Sequence, residues 1–299
     1  MSNYELRYLR GDETLKKKAR LNLVKIRDFL MEDIGHGDIT SSSLIGADQM
    51  AKARLFIREA GIAAGLEEAA MIFELLGCDV ITHAYDGESV NPEKILLELE
   101  GSARAILSGE RTVLNIVGRM AGIATAVAEA QKIANEVNPS VRIAATRKTL
   151  PGLRELDKKA VLLGGGDTHR LRLDDCVLIK DNHLKLVPSI TDAVRRARKG
   201  VSFTKKIEVE VRSPGEAEEA AEAGADIVMF DNMSPREIRI CFGVLKKKGL
   251  HKGRLFEASG EITRESLANY AGSGVDIVSM GSLTHSVRSL NVKLEIEMV

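Results

Sequence analysis

The feature that most constrains the fold of this 299-residue chain is a rhythm that sets in near residue 142. A short apolar run ends in polar residues, a helical segment follows, and the pattern returns. The runs are VRIAATRK (141–148), AVLLGGG (160–166), CVLIKD (176–181), KIEVEV (206–211), DIVMFD (226–231), RLFEASG (254–260) and DIVSMG (276–281). Most are too apolar on both faces for a half-wet antiparallel sheet, which suits parallel strands covered by helices. The intervening segments carry helix start signals. Ser213-Pro-Gly-Glu216 and Ser234-Pro-Arg-Glu237 each offer Ser as N-cap, Pro at the first helical position and Glu at the third. Glycines in AGADIV and SGVDIV stop the helices before the next strand. This alternation predicts an α/β barrel or a doubly wound sheet.

Polar residues collect at the predicted C-terminal ends of these strands: Lys148, Lys180, Asp231, Ser259 and Gly281. Barrel enzymes place their chemistry there. The segments ATRKT, GGGDTHRLR and VLIKD bring Arg147, Lys148, His169, Arg170, Arg172 and Lys180 toward one end. Like charges repel strongly in a partly dry cleft, so such a cluster is costly unless an anion binds. Any one of these residues taken alone reads equally well as a solvated surface charge; six at three consecutive strand ends do not. The chain as a whole has 43 basic and 43 acidic residues, so a general nucleic-acid or membrane-surface role is not signalled.

The acidic candidates are Glu208 and Glu210, on one face of a strand by period two, and Asp231. A carboxylate at a strand end can hold Mg²⁺ through water or bind sugar hydroxyls. Glu210, nearer the end, is the stronger candidate, while Glu208 is expected to pair with a lysine inside the barrel. EASGEIT and MGSLTHS are glycine-containing turns near helix starts, suited to a phosphate group. His36, His83 and His251 are scattered and read as structural or exposed, whereas His183 and His285 lie near strand ends, where they could support the site. Cys78, Cys176 and Cys241 form no CxxC, which fits a reducing cytosol, and Cys176 is expected to pack in the barrel. The start of the chain is too charged for a secretory leader, and no apolar run approaches the roughly 18 residues of a membrane span. A soluble cytoplasmic protein is the expectation.

Before residue 120 the rhythm differs. LEEAAMIFELLG reads as an amphipathic helix; AKARLFIREAGIAAG, DVITHAYDGE and KILLELEGSARAIL read as strand candidates. SGERTVLNIVGRMAGIATAVAEAQKIANEV (108–137) reads as helical, with a break at Gly118 or Gly122. Residues 1–115 are therefore expected to form a separate α+β domain and residues 116–287 the barrel. The alternating tail, 288–299, is expected as an edge strand that returns to the first domain.

At these residues the sequence resembles the quinolinate phosphoribosyltransferase family, also called nicotinate-nucleotide pyrophosphorylase (carboxylating). The resemblance runs almost end to end through EDIGHGDIT, GERTVLNIVGRMAGIAT, TRKTLPGLR, GGGDTHR, VLIKDNH, EVEV, FDNMSP, EASGEIT and GSLTHS. It implies an N-terminal α/β sandwich and an open seven-stranded α/β barrel. It also implies a homodimer with shared active sites, or a hexamer built from it. The implied reaction is Mg²⁺-dependent transfer of phosphoribose from phosphoribosyl pyrophosphate to quinolinate, giving nicotinate mononucleotide, CO₂ and pyrophosphate. Carried across by motif, Arg147, Lys148, His169 and Arg170, with Thr146 beside them, meet the quinolinate carboxylates, and Arg111 reaches in from the partner subunit. Lys180, Glu210 and Asp231 bind the phosphoribosyl group and Mg²⁺, and Ser259, Gly260 and Gly281 hold the 5′-phosphate. Lys148, Lys180, Glu210 and Asp231 are the expected catalytic residues. Ala145, Arg172 and Glu261 depart from the family pattern. A sister group linked to molybdenum transport, and a barrel aldolase using Lys180 as a Schiff-base lysine, are the competing readings.

Overall fold

This computed structural model describes the backbone of residues 13–298 and the side chains of residues 23–297. Residues 1–12, part of the charged stretch that argues against a leader, lie outside the described residues. Two compact units are present: one runs to Gly122 and takes in the tail from Ser289, and the other is Ile123–Arg288.

The first unit is built on β1 (Met50–Ile57), the short β2 (Gly61–Ile62), β3 (Asp79–Thr82), the short β4 (Ser89–Val90) and β5 (Ile95–Ser102). The tail strand Val292–Met298 joins them, giving an antiparallel sheet in the order tail, β1, β5, β3. Alternation decides its faces. Ala51, Ala53 and Leu55 of β1 are buried, while Lys52 and Arg54 point to solvent. Arg54 there bonds Glu98 of β5 at 3.1 Å and Glu297 of the tail at 2.9 Å. The helix Leu66–Leu75 packs on β3 and β5, burying Ala69, Ile72 and Phe73.

The next helix ends at Val137 as expected but differs from expectation in its start and in its continuity. It begins at Ala103, absorbing the ARAIL read as strand, and runs unbroken to Val137. Gly118 does not interrupt it. A Cβ there would lie 3.0 Å from the Leu290 carbonyl, so the glycine permits close approach of the tail, whose Leu290 N–H donates to the Gly118 carbonyl at 2.9 Å. By length and composition this helix could cross a membrane, contrary to the sequence reading that no segment could. Two-thirds of its most apolar window (67%) is nevertheless buried inside the protein, as in the core helix of a globular fold.

The second unit carries β6 (Arg142–Ala144), β7 (Val177–Ile179), β8 (Ile207–Val211), β9 (Ile227–Asp231), β10 (Leu255–Gly260) and β11 (Ile277–Met280). These form a six-stranded parallel sheet in the order β6, β11, β10, β9, β8, β7. The seventh position of the open α/β barrel is reduced to one parallel bridge between Ala144 and Asp167. AVLLGGG is thus not a strand. AVLL closes the helix Arg154–Leu163, whose polar half precedes it, and Ala160 and Val161 are its buried face. The glycines that follow allow close contact with the long helix: a Cβ on Gly164 would fall 2.3 Å from the Ala124 carbonyl, and on Gly166 2.6 Å from Val127 Cγ1.

Helix starts behave as the local chemistry requires. Ser213 and Ser234 both cap their helices, Ser234 in a reciprocal capping box with Glu237. Beneath the outer helices, Phe230, Phe242 and Phe256 form an aromatic cluster with centroids 4.7–6.1 Å apart. This packing fixes β9 and β10, the strands that carry Asp231 and Ser259 into the site.

Candidate active site

A cavity of about 440 Å³ opens at the C-terminal ends of the parallel strands, and period two explains its lining. Each strand sends residues i and i+2 inward: Leu178 and Lys180, Glu208 and Glu210, Met229 and Asp231, Glu257 and Ser259, Ser279 and Gly281. All of these except Glu208, which lies deeper, contact the cavity. Thr146, Arg147 and Lys148 enter after β6, and His169 and Arg170 after the bridge at Asp167. Eleven of the twelve residues that the family resemblance assigns to the site therefore line one cavity within one unit. The twelfth, Arg111, is exposed on the helix Ala103–Val137 and belongs to the other unit.

The basic wall is under-compensated. Arg147 Nε is buried with no hydrogen-bond partner among the described residues, and burial, then the nearby Arg170 and Arg154, lower the affinity of its guanidinium for a proton. Arg170 donates to the Cys176 carbonyl at 3.2 Å. The Lys148 amide donates to Thr146 Oγ1 at 3.1 Å, and Thr284 Oγ1 donates to the Lys148 carbonyl at 2.9 Å. Lys158, missed in the sequence, is almost wholly buried beneath this wall. Its ammonium donates to the Thr168 carbonyl, and burial pulls its pKa down to about 8, with Arg154 adding to the fall. Arg172 does not join the cluster as expected. It lies exposed on the outside, 3.2 Å from Glu155. Cys176 is half-buried and its thiol is pushed up to about 11 by burial, which leaves no thiolate for nucleophilic chemistry.

At the cavity floor sits a group the sequence reading did not assemble. Glu208 and Glu257 are both fully buried, and His169 Nε2 lies 3.3 Å from Glu208 and 3.2 Å from Glu257. Glu208 thus faces a histidine and a second glutamate, not the lysine expected of it. The overlooked signal was Glu257 itself, a lone charge two residues before Ser259 in an otherwise apolar strand. Ser279 Oγ–H donates to Glu257, yet both Glu208 oxygens and one of Glu257 have no hydrogen-bond partner. Burial opposes an imidazolium, whereas the two glutamates favour one and raise the affinity of this group of three for a proton. The Arg170 N–H, however, donates to His169 Nδ1 at 2.7 Å, which fixes a neutral ring with its proton on Nε2. We therefore place the additional proton on Glu208. Burial first, then Glu257, raises the Glu208 carboxyl to about 7. The three side chains also have ligand atoms within 4.8 Å of one another. A metal on Nε2 needs a proton on Nδ1, where the Arg170 amide points, so this geometry suits a buried proton better than a metal.

The linkage has a definite sign. Glu208 titrates in the folded protein above its unfolded value of 4.5, so its stabilising contribution is complete below that pH and is lost as pH rises through about 7. Glu208→Gln is expected to flatten the pH dependence of urea unfolding across this window. It should also exceed the parent in stability at about pH 8, by about 1–2 kcal/mol. An unchanged slope in the variant contradicts a titrating Glu208.

The acidic wall is interleaved with cations. Lys180 pairs with Glu210, and His183 Nδ1 accepts from the Lys180 amide at 2.9 Å, holding the strand end in place. Asp231 receives the Asn232 side-chain amide on Oδ1 at 2.9 Å and Arg212 on Oδ2 at 2.8 and 3.0 Å. Asn232 adopts a left-handed backbone (φ 55°), and its amide donates to the Ser259 carbonyl at 2.9 Å. Its Oδ1 also accepts from the Glu261 amide at 3.3 Å, so it ties Asp231 to the glycine turn. Gly260 is required in that turn: its φ is 137°, and a Cβ would fall 2.5 Å from Asn232 Oδ1. Glu261 adds a carboxylate to the lining. The opposite glycine, Gly281, lies beside the Lys148 and His285 side chains. A cavity with one wall of guanidinium and ammonium groups, one of carboxylates and two small-residue turns can bind a polyanion and its counter-cation together.

Comparisons with known proteins find related sequences and the same fold. The family model "Quinolinate phosphoribosyl transferase, C-terminal domain" matches residues 123–295, and the corresponding N-terminal domain model matches residues 38–121. A Methanothermobacter thermautotrophicus protein, named "Probable nicotinate-nucleotide pyrophosphorylase (carboxylating)", is 48% identical over 91% of this chain and 97% of its own length. The human nicotinate-nucleotide pyrophosphorylase (carboxylating) is 37% identical over 85% of each chain. Among solved structures, NadC from Streptococcus pyogenes superposes with a TM-score of 0.85 at 34% identity, covering 92% of this chain and 95% of that one. The nicotinate-nucleotide pyrophosphorylase from Francisella tularensis gives 0.85 at 33% identity, covering 93% and 96%. Matched across both of its domains and by relatives that span it nearly end to end, the chain belongs to the quinolinate phosphoribosyltransferase family.

Proposed function

We propose that this protein transfers phosphoribose from phosphoribosyl pyrophosphate to quinolinate with loss of CO₂, forming nicotinate mononucleotide and pyrophosphate in de novo NAD synthesis. The observation that carries the reading is Arg147, a half-buried guanidinium whose Nε is buried and has no partner among the described residues, crowded by Arg170 at the wall of the cavity. Such a cation calls for an anion, and Arg147, Lys148 and Arg170 together suit the two carboxylates of quinolinate. His169 turns Nε2 toward the two buried glutamates, 3.3 and 3.2 Å away, and accepts the Arg170 N–H on Nδ1, so its part is to shape the pocket beside Arg170.

In the reaction the bond from ribose C1 to pyrophosphate breaks, and the quinolinate ring nitrogen bonds to C1. The ring becomes cationic. The electron pair left at C2 by departing CO₂ is stabilised beside that nitrogen and then takes a proton. Glu210 and Asp231 offer hard oxygen donors on neighbouring strands, the set that binds Mg²⁺ when phosphate oxygens complete its shell. When bound, Mg²⁺ neutralises charge gathering on the pyrophosphate. Lys180 places a further cation beside Glu210, and the Gly260 and Gly281 turns offer room and backbone N–H groups to the 5′-phosphate. An aldolase role for Lys180 is disfavoured, because a Schiff-base lysine needs an uncharged amine and this one is paired with a carboxylate. Free cysteines at positions 78, 176 and 241 are in keeping with a cytoplasmic location.

Two experiments test the assignment of walls and of subunits. Glu210→Ala and Asp231→Ala are expected to weaken Mg²⁺-dependent binding of phosphoribosyl pyrophosphate by calorimetry while leaving quinolinate affinity nearly intact. The reverse pattern overturns the assignment. Arg111, which lies in the other unit, is proposed to serve the neighbouring subunit of a homodimer, the minimal unit of any hexamer. Arg111→Ala and Lys148→Ala proteins should each be almost inactive, since removing a desolvated charge partner costs about 2–5 kcal/mol. A mixed dimer should regain one intact site; no recovery under conditions shown to exchange subunits contradicts sharing.

A further inference from the structure

Arg212, the residue after β8, is absent from every motif singled out in the sequence and from the cavity lining, yet it pairs with the carboxylate proposed for the metal. Its Nε and Nη2 both donate to Asp231 Oδ2, at 3.0 and 2.8 Å, and its Nη2 lies 3.5 Å from Asp181 Oδ2. The other Asp231 oxygen is held by the Asn232 amide. Oδ2 therefore carries two charge-assisted bonds while Oδ1 carries one, and a cation cannot take Oδ2 until the guanidinium leaves it. Arg212 is free to leave, because its side chain is 56% exposed while that of Asp231 is only 16% exposed. Its backbone stays put, with its N–H donating to Glu216 at 2.6 Å in the helix that follows.

We propose that Arg212 is an exchangeable counter-ion: it masks Asp231 in the resting enzyme, yields it to the divalent cation, and turns to the pyrophosphate that arrives with that cation. The inference rests on the proposed role of Asp231 as a metal ligand. A guanidinium displaced by a divalent cation would sit beside a like charge, and an anion between them removes the repulsion. Arg212 adds one more bidentate-capable cation where the leaving group gathers charge. The mask also makes divalent binding without substrate unfavourable, which couples metal to substrate without any rearrangement of the fold.

The test uses the full chain and its Arg212→Gln, Arg212→Lys and Arg212→Gln/Asp231→Asn variants, titrated calorimetrically with Mg²⁺ alone and then with pyrophosphate at saturating Mg²⁺. Arg212→Gln is expected to bind Mg²⁺ about fivefold more tightly than the parent, the ratio set by losing an exposed ion pair. It should bind pyrophosphate about tenfold less tightly, as expected for a lost charge-assisted contact. Arg212→Lys should fall between, because one ammonium cannot make both contacts. A purely structural Arg212 would weaken both ligands together, so opposite signs are the signature. Unchanged or weaker Mg²⁺ binding in Arg212→Gln overturns the mask, as does unmeasurable Mg²⁺ binding to that variant. Unchanged pyrophosphate binding overturns the exchange. If the gain in Mg²⁺ affinity survives Asp231→Asn, the metal assignment of Asp231 itself fails.

Discussion

Nicotinate is expected to be used at least about a thousandfold less efficiently than quinolinate, measured as kcat/KM under identical Mg²⁺ and phosphoribosyl pyrophosphate concentrations. The two substrates differ by one carboxylate. The basic wall holds Arg147, Lys148 and Arg170 within one cavity, and Arg147 has no protein acceptor for its buried Nε. A ligand that fills half of this wall leaves a desolvated cation unpaired, which costs about 3–5 kcal/mol. Discrimination of this kind is larger than a hydrophobic pocket achieves, because the penalty falls on the site as well as on the ligand. Comparable turnover of nicotinate contradicts the two-carboxylate reading of the wall.

Arg147→Ala should have opposite effects on catalysis and on stability. Quinolinate kcat/KM is expected to fall by about 10²–10³, the consequence of losing a buried charge partner. The unliganded protein, in contrast, should be as stable as the parent or more so by about 1 kcal/mol, because the variant removes a half-buried cation that Arg170 and Arg154 repel. Denaturant unfolding with and without quinolinate separates the two effects: ligand should stabilise the parent and not the variant. An Arg147→Ala protein that unfolds easily and still binds quinolinate would show Arg147 to be a structural residue.

Much of this site was legible in the sequence because a parallel strand writes its inward face in a period of two and ends where the chemistry sits. Lys180, Glu210, Asp231 and Ser259 were found in that way, each as a polar residue closing an apolar run. The same rule, applied one step earlier along each strand, finds Glu208 and Glu257. What it does not give is their meeting with His169, since that depends on strands β8 and β10 standing on either side of β9. Arg172 illustrates a different limit. It is two residues from Arg170 and was grouped with it, but no strand carries it, and the loop turns it out to Glu155. AVLL misled for a local reason: four apolar residues read alike as a short strand or as the buried end of a helix, and only the preceding RELDKK separates them. Gly118 misled because a glycine that lets another segment approach looks, in sequence, like one that ends a helix. Arg212 could not have been chosen at all. Its significance lies in Asp231 Oδ2, a partner on the next strand.

The most direct test of the central claim, that one cavity both ribosylates and decarboxylates a pyridine dicarboxylate, is a product count in a single reaction. The purified protein is supplied with quinolinate labelled in its 2-carboxylate, phosphoribosyl pyrophosphate and Mg²⁺, and released CO₂ and nicotinate mononucleotide are measured together. The account predicts equal amounts of the two at every time point and neither product when any one component is omitted. Nucleotide formed without matching CO₂, or CO₂ released without phosphoribosyl pyrophosphate, would contradict it.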